Sequence, residues 1–309
     1  MNRTPAVSVV MPVYNAGPYL EDAVKSVFAQ TFTDWELIVV DDASTDGAIG
    51  LVHKLDDPRV HVYRNERNMN QAASINRGVQ LARAPLVALQ DADDLSMPRR
   101  FERQVALLDG DSSLDVVSAG QYGTNIHLQP FVVDYGIEDH ASIVRRPAFV
   151  VKIGHHTAMG RTTWWRRWPY DPRVRLCQDF DLFLRSYKES RFGNVPDPLY
   201  VYRFVGHTWG LRKNWLGNYY KMVSLLRHGF RPGLIFQTFL ALASLPPRVT
   251  ISTLMLLLHI NPGMTRERRN PPTAEESRQL AEALAVIRSV QLPACRDAVH
   301  RPTTTEAPE

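Results

Sequence analysis

Short, mostly apolar and β-branched runs recur along the first 120 residues, at Val7–Val13, Leu37–Val40, Val60–Tyr63, Leu86–Leu89 and Leu114–Ser118. Runs of this kind predict strands buried on both faces of a sheet. Between them the apolar positions change period. Leu20, Val24, Val27 and Phe28 repeat at three- and four-residue steps, after a Gly17-Pro18 that starts a helix. Ala72, Ile75, Val79 and Ala82 do the same within 71–83, and a further helix is expected over 98–108. Strand and helix in alternation predict an α/β fold: a doubly wound, mostly parallel sheet, with helical additions at the C-terminal end. Right-handed crossovers bring the C-terminal ends of the strands to one edge, where ligands bind in open sheets.

The pattern changes beyond residue 225. Two apolar arms, Gly233–Leu245 and Val249–Ile260, flank Pro246-Pro247. Each arm as a helix spans about 20 Å against roughly 30 Å of hydrocarbon, too short to cross a bilayer singly. Two readings stand: a helical hairpin lying in a membrane interface, or an ordinary buried hairpin. A polar linker follows, then Thr273-Ala-Glu-Glu276, which has the form of a capping box. The helix it opens would bury Leu280, Leu284, Ile287 and Val290, and a proline- and threonine-rich tail closes the chain. The expected units are 1–225, a catalytic domain; 226–262, an apolar helical segment; and 263–309, linker, short helix and disordered tail.

Composition adds two constraints. The net charge is only +4, yet no Asp or Glu occurs from Pro198 to Arg266, while Arg227, Arg231 and Arg248 lie there. Such a stretch suits anionic lipid or a diphosphate better than nucleic acid, and the three arginines are expected to meet lipid head groups. The two cysteines, Cys177 and Cys295, match no metal or redox spacing and predict reduced thiols. The first apolar run is too short and interrupted for a secretory signal, so the chain is expected in the cytoplasm, peripherally at the inner face of the membrane.

Carboxylates mark the site. Asp41-Asp42 directly follows the second predicted strand, and Asp91-Ala92-Asp93-Asp94 follows the fourth. Their convergence on one crevice calls for a divalent cation or ligand donors to relieve the repulsion. The D-x-D triplet occurs three times, at Asp91, Asp109 and Asp179, but only the first ends a central strand. Neither a P-loop nor the glycine fingerprint of a dinucleotide fold is present.

The segments VSVVMPVYN (7–15), DWELIVVDDASTD (34–46), NRGVQLA (76–82), LQDADD (89–94) and QDFDLFLR (178–185) stand in the order found in glycosyltransferase family 2, which the chain resembles over about its first two-thirds. The resemblance implies the nucleotide-diphospho-sugar transferase fold and inverting, metal-assisted transfer with Mn²⁺ or Mg²⁺. It implies that Pro12 and Tyr14 line the base and ribose pocket, that Asp42 binds the base with support from Asp41, that Asp91 faces the ribose, that Asp93 ligates the metal, and that Asp179 is the catalytic base. A histidine such as His207 reaches the metal or diphosphate in some relatives. The chain departs from the pattern at Gln178, where Glu is usual, at Asn68-Met69-Asn70 in place of N-x-G, and at Ile75 in place of arginine.

Chemistry supports the division of roles, since inversion needs a base on the face opposite the leaving group. The expected donor is a UDP- or dTDP-sugar and the acceptor a glycan or lipid-linked hydroxyl. A sugar-nucleotide-forming nucleotidyltransferase and a degenerate sugar-nucleotide-binding protein are the alternatives. The first lacks its basic glycine-rich loop at 14–18; the second sits badly with intact Asp42, Asp93 and Asp179. Other residues admit two readings. Asp179 also suits a helix cap, and Asp181 the first helical turn. His155-His156 reads as a strand-edge pair. Trp164, Trp165 and Trp168, with Arg161, Arg166 and Arg167, suit a sugar-stacking surface or a partly buried hairpin.

Overall fold

The computed structural model describes residues 3–204, 210–258 and 270–293. Its strands are β1 (Val7–Val13), β2 (Trp35–Asp41), β3 (Val60–Arg64), β4 (Leu86–Leu89), β5 (Leu95–Ser96), β6 (Val116–Thr124), β7 (Pro130–Asp134), β8 (Met159–Arg161) and β9 (Phe192–Arg203). Its helices are α1 (Tyr19–Phe28), α2 (Gly50–His53), α3 (Gln71–Leu81), α4 (Arg100–Gly110), α5 (His140–Ile143), α6 (Thr162–Arg167), α7 (Gln178–Ser186), α8 (Leu211–His228), α9 (Ile235–Leu257) and α10 (Ala274–Ser289).

One sheet runs in the order β3-β2-β1-β4-β8-β6-β9-β5, with β7 added to β6. The first four neighbours are parallel, as the alternating pattern predicts. Beyond β4 the sheet is mixed, because short β8 pairs antiparallel with both β4 and β6. Gly160 permits that insertion: a Cβ there would lie 2.8 Å from the Asp115 carbonyl oxygen. Successive residues of β1 point to opposite faces. Val9 and Met11 pack with α1 and α4, whereas Val10 packs with Ile75 and Val79 of α3. Burial on both faces accounts for the continuous apolar run.

The C-terminal additions differ from expectation in two ways. The two arms do not form a hairpin with each other. As far as Leu257 they belong to one continuous helix, α9, with Pro246 and Pro247 inside it, residues 259 and 260 lying outside the described residues, and the hairpin is made by α8 and α9. Asn214 Nδ2 donates to Ser252 Oγ at 2.9 Å and Trp215 Nε1 to Thr253 Oγ1 at 3.0 Å, so α8 splints the half of α9 that follows the prolines. The helix after the capping box, α10, forms with both reciprocal bonds between Thr273 and Glu276, but it ends at Ser289, so Val290 turns to extended backbone as the C-cap and is half-buried instead of joining the buried stripe. Leu280, Leu284 and Ile287 pack against Leu95, Val133 and Val201 of the sheet, so this helix completes the core beneath β5 and β9.

Candidate active site

β1, β2 and β4 end at a common edge that opens into a cleft of about 950 Å³. Pro12, Tyr14, Asp42, Asp91, Asp93 and Asp179 all line it. Asp41 lies behind the cleft wall, fully buried, where it pairs with Arg64 and accepts from Ser44 N at 2.8 Å. His207 falls outside the described residues.

The loops after β1 and β2 brace each other. Thr45 N donates to Asn15 Oδ1 at 2.8 Å, and Gly17 N to Asp46 Oδ2 at 2.7 Å. The Asp42 carboxylate organises the next loop. It accepts from Asn65 Nδ2 at 2.7 Å, Met69 N at 2.8 Å and Asn70 N at 2.9 Å. Asn70 stands where the family pattern has glycine and adopts φ +75°, a region that Asn tolerates better than most residues. Its side chain caps α3 by accepting from Ala73 N at 3.2 Å and donates to the Pro172 carbonyl at 3.0 Å. Ile75, in place of arginine, is core.

A buried polar scaffold holds the turn 91–94. Gln90 Nε2 donates to the carbonyls of Asp91 and Asp94 at 2.9 and 3.0 Å. Arg100, fully buried, donates to Gln90 Oε1 and the Leu89 carbonyl and lies over the Tyr200 ring. Asp94 faces inward and accepts from Arg203 N at 2.7 Å. Burial pushes the carboxyls of Asp91 and Asp94 above the ordinary range. Burial, with the neighbouring Asp91 charge, raises Asp93 to about 6. The turn thus presents two carboxylates whose charge nothing on the protein side fully relieves.

α7 brings the third carboxylate. Its N-cap, Cys177, adopts φ +56° and no side chain caps the helix. Asp179, in the first turn, accepts no hydrogen bond among the described residues and faces the cleft. Asp181 lies in the first turn of α7, as expected. It is buried, accepting from Arg185 Nε at 2.8 Å and Ser224 Oγ at 2.9 Å, and so ties α7 to α8. Gln178 starts a polar chain: its Nε2 donates to Gln71 Oε1 at 2.8 Å, and Gln71 Nε2 donates to Asp91 Oδ1 at 2.9 Å. The helix bearing Asp179 is thereby linked to the 91–94 turn.

Several side chains land elsewhere than expected. Trp164 and Trp165 are core and Trp168 packs against it, which removes them as a sugar-stacking surface. Arg161 and Arg166 donate to backbone carbonyls around them. His155 and His156 form a 3₁₀ turn, not a strand edge. His155 lines the cleft and shares a hydrogen bond with the Tyr170 hydroxyl at 3.0 Å, while burial drives the His156 imidazole down to about 3. Burial likewise pushes the Cys177 thiol up to about 11, consistent with an unreactive free cysteine. Lys213 and Lys221 of α8 also line the cleft. Sequence reasoning had them only as part of an acid-free stretch; their eight-residue spacing on one helical face was the available signal.

The sequence model of glycosyl transferase family 2 matches residues 8–217, from the first strand to the first turns of α8. The chain belongs to this family. A curated relative, the putative glycosyltransferase EpsE of Bacillus subtilis (strain 168), is 34% identical over 219 residues, which is 66% of this chain and 74% of the relative. S. aureus TarS 1–349, solved in complex with UDP, aligns with a TM-score of 0.60 at 20% identity, covering 91% of this chain and 79% of that one. The mannosyltransferase PcManGT from Pyrobaculum calidifontis, solved in complex with GDP-Man and Mn²⁺, aligns at 0.57 and 18% identity, covering 92% and 87%. The two structures share the fold of this glycosyltransferase. Its own residues fit a hard divalent cation: Asp91 and Asp93 offer only oxygen, burial raises both carboxyls, and the Asp91 charge raises Asp93 further. No cluster of three or more metal-ligating side chains occurs among the described residues.

Proposed function

We propose that this glycosyltransferase inverts the anomeric centre as it moves a sugar from a nucleotide-diphospho-sugar, a UDP- or dTDP-sugar, to a glycan or lipid-linked hydroxyl. The observation that carries the reading is the meeting in one cleft of Asp91 and Asp93 from one element and Asp179 from another, the last with no hydrogen bond or ion pair among the described residues.

Pro12 and Tyr14 bound the end of the cleft that takes the base and ribose. Asp42, braced by Asp41 and its ion pair with Arg64, holds the 65–70 loop against the nucleotide. Asp91 meets the ribose. Asp93 holds Mn²⁺ or Mg²⁺, with His207 as a second candidate ligand. An ion held there would supply charge neutralisation for the departing diphosphate. Lys213 and Lys221 add positive charge to the same cleft. Asp179 accepts the proton of the acceptor hydroxyl as its oxygen bonds to the anomeric carbon. The bond from that carbon to the diphosphate oxygen breaks, and the nucleoside diphosphate leaves with the electron pair. A water-soluble donor fits a reaction on the cytoplasmic side of the membrane. Neither sugar-nucleotide formation nor a degenerate binding role gives Asp179, in the cleft, a task.

Calorimetric titration with UDP and dTDP in Mn²⁺, with and without chelator, tests this reading. Metal-dependent binding is expected in the wild type and lost in Asp93→Ala, whose fold is checked by circular dichroism. A folded Asp93→Ala variant with unchanged Mn²⁺-dependent affinity would remove the metal role from Asp93.

A further inference from the structure

α8 and α9 leave two apolar stripes facing away from the protein. On α8, Trp215, Tyr219, Met222 and Leu226 recur at steps of four, three and four, and all are exposed. On α9, Phe236, Leu240, Ile251, Leu254 and Leu258 continue the pattern around Ala243 and Pro247, and Phe236 is 74% exposed. The helices run antiparallel and touch at Trp215–Thr253 and through the Phe230 and Phe239 rings, so the stripes adjoin. Paired apolar stripes of this extent are rare on the surface of a soluble monomer.

We infer that this face seats the enzyme on an anionic lipid bilayer, with α8 and α9 lying in the interface. Charge selects the occupant. From Leu211 to Leu257 the chain carries six Lys and Arg and no Asp or Glu. A second copy meeting the same face would bring like charges together, whereas anionic head groups neutralise them. Trp215 and Tyr219 are the residue types that favour the head-group level. The arginines differ from the expected head-group contacts. Arg227 reaches Asp171 at 3.6 Å, Arg231 donates to the Arg185 carbonyl, and Arg248 lies over the Phe149 ring. Arg212, exposed, three residues from Trp215 on the same face of α8 and without an ion pair among the described residues, meets lipid instead.

Length alone would let α9 cross, since 23 residues span about 34 Å. Its packing against α8 and the body argues otherwise. Thr238 and Ala241 are buried, and Ser252 and Thr253 are bonded to α8, so one side of the helix belongs to the protein. Crossing would tear these contacts apart. Because Lys213 and Lys221 put α8 on the wall of the cleft, seating this face on lipid brings the cleft to the bilayer surface. The inference stands apart from the transfer chemistry, so either can fail alone.

Co-sedimentation of the full chain with phosphatidylcholine vesicles, with and without about one-third phosphatidylglycerol, tests it. The wild type is expected to pellet with the anionic vesicles, less at high salt but still measurably, because apolar burial is insensitive to screening. Phe236→Ser/Leu240→Ser/Leu254→Ser, all at exposed positions, should keep the circular dichroism spectrum and UDP affinity yet lower partitioning at least about tenfold. Arg212→Gln should bind less and lose part of the salt dependence. A wild type that stays in the supernatant, or a folded triple variant that still pellets, overturns the inference. So does a dimer in solution that the triple variant dissolves, without vesicle binding.

Discussion

At the residue scale the site depends on groups that only accept meeting groups that donate. An ionised Asp91 accepts only, so Gln71 must turn its amino group to it and its carbonyl to Gln178. That fixes what residue 178 has to be. A glutamate, usual in the family, cannot donate to the Gln71 carbonyl. Gln71 would turn over to bond it and present its carbonyl to Asp91. Gln178→Glu is therefore expected to weaken metal-dependent nucleotide binding about tenfold, the worth of one charge-assisted hydrogen bond. Calorimetry with UDP and Mn²⁺ measures it, and unchanged affinity would detach Gln178 from the donor site. Asn70 shows a related economy, since one asparagine adopts a positive φ, caps α3 and donates to the Asp42 carboxylate. Residues such as Asp42, Asp91, Asp93 and Asp179 were legible because each follows or opens a recognisable element. Gln71 and Gln178 were not, because their partnership spans 107 positions and leaves no local pattern.

At the scale of elements, periodicity reported what local burial dictates. β1, β2, β4 and α3 fall where the apolar runs put them, because each is buried in one continuous layer. Gly78 shows how close that layer is: a Cβ there would lie 2.4 Å from Val10 Cγ1. Gly78→Ala gains about 1 kcal/mol of helix propensity but overpacks the α3–β1 contact by about 1–3 kcal/mol. The net expectation is a lower urea midpoint, and a raised midpoint would mean that α3 can move off the sheet. Elements defined by distant partners read poorly. The antiparallel β8 depends on a glycine at a strand junction, and α10 depends on a surface offered by β5 and β9. Pro246-Pro247 looked like a break because proline removes helix donors. α9 nevertheless continues, since α8 bonds Ser252 and Thr253 on the far side.

At the scale of the whole molecule, a two-faced sheet carries the nucleotide-facing carboxylates at one edge, and α7 carries the base candidate into the same cleft from outside the parallel strands. The order of motifs along the chain made this division legible before any coordinates. The joining of α8 to both the cleft and the apolar face was not, because it depends on which side of one helix turns inward. The proposed chemistry depends most directly on Asp179. Single-turnover hydrolysis of a saturating UDP-sugar in Mn²⁺ uses water as acceptor and so needs no acceptor identity. It should first be run with the donor that calorimetry selects. Asp179→Asn is expected to slow the step by about 10²–10⁴, the usual worth of a general base, while donor affinity stays at the wild-type value. A near-normal rate in the folded variant would contradict the assignment of the base, and an equal loss in affinity would put Asp179 on the donor side of the cleft.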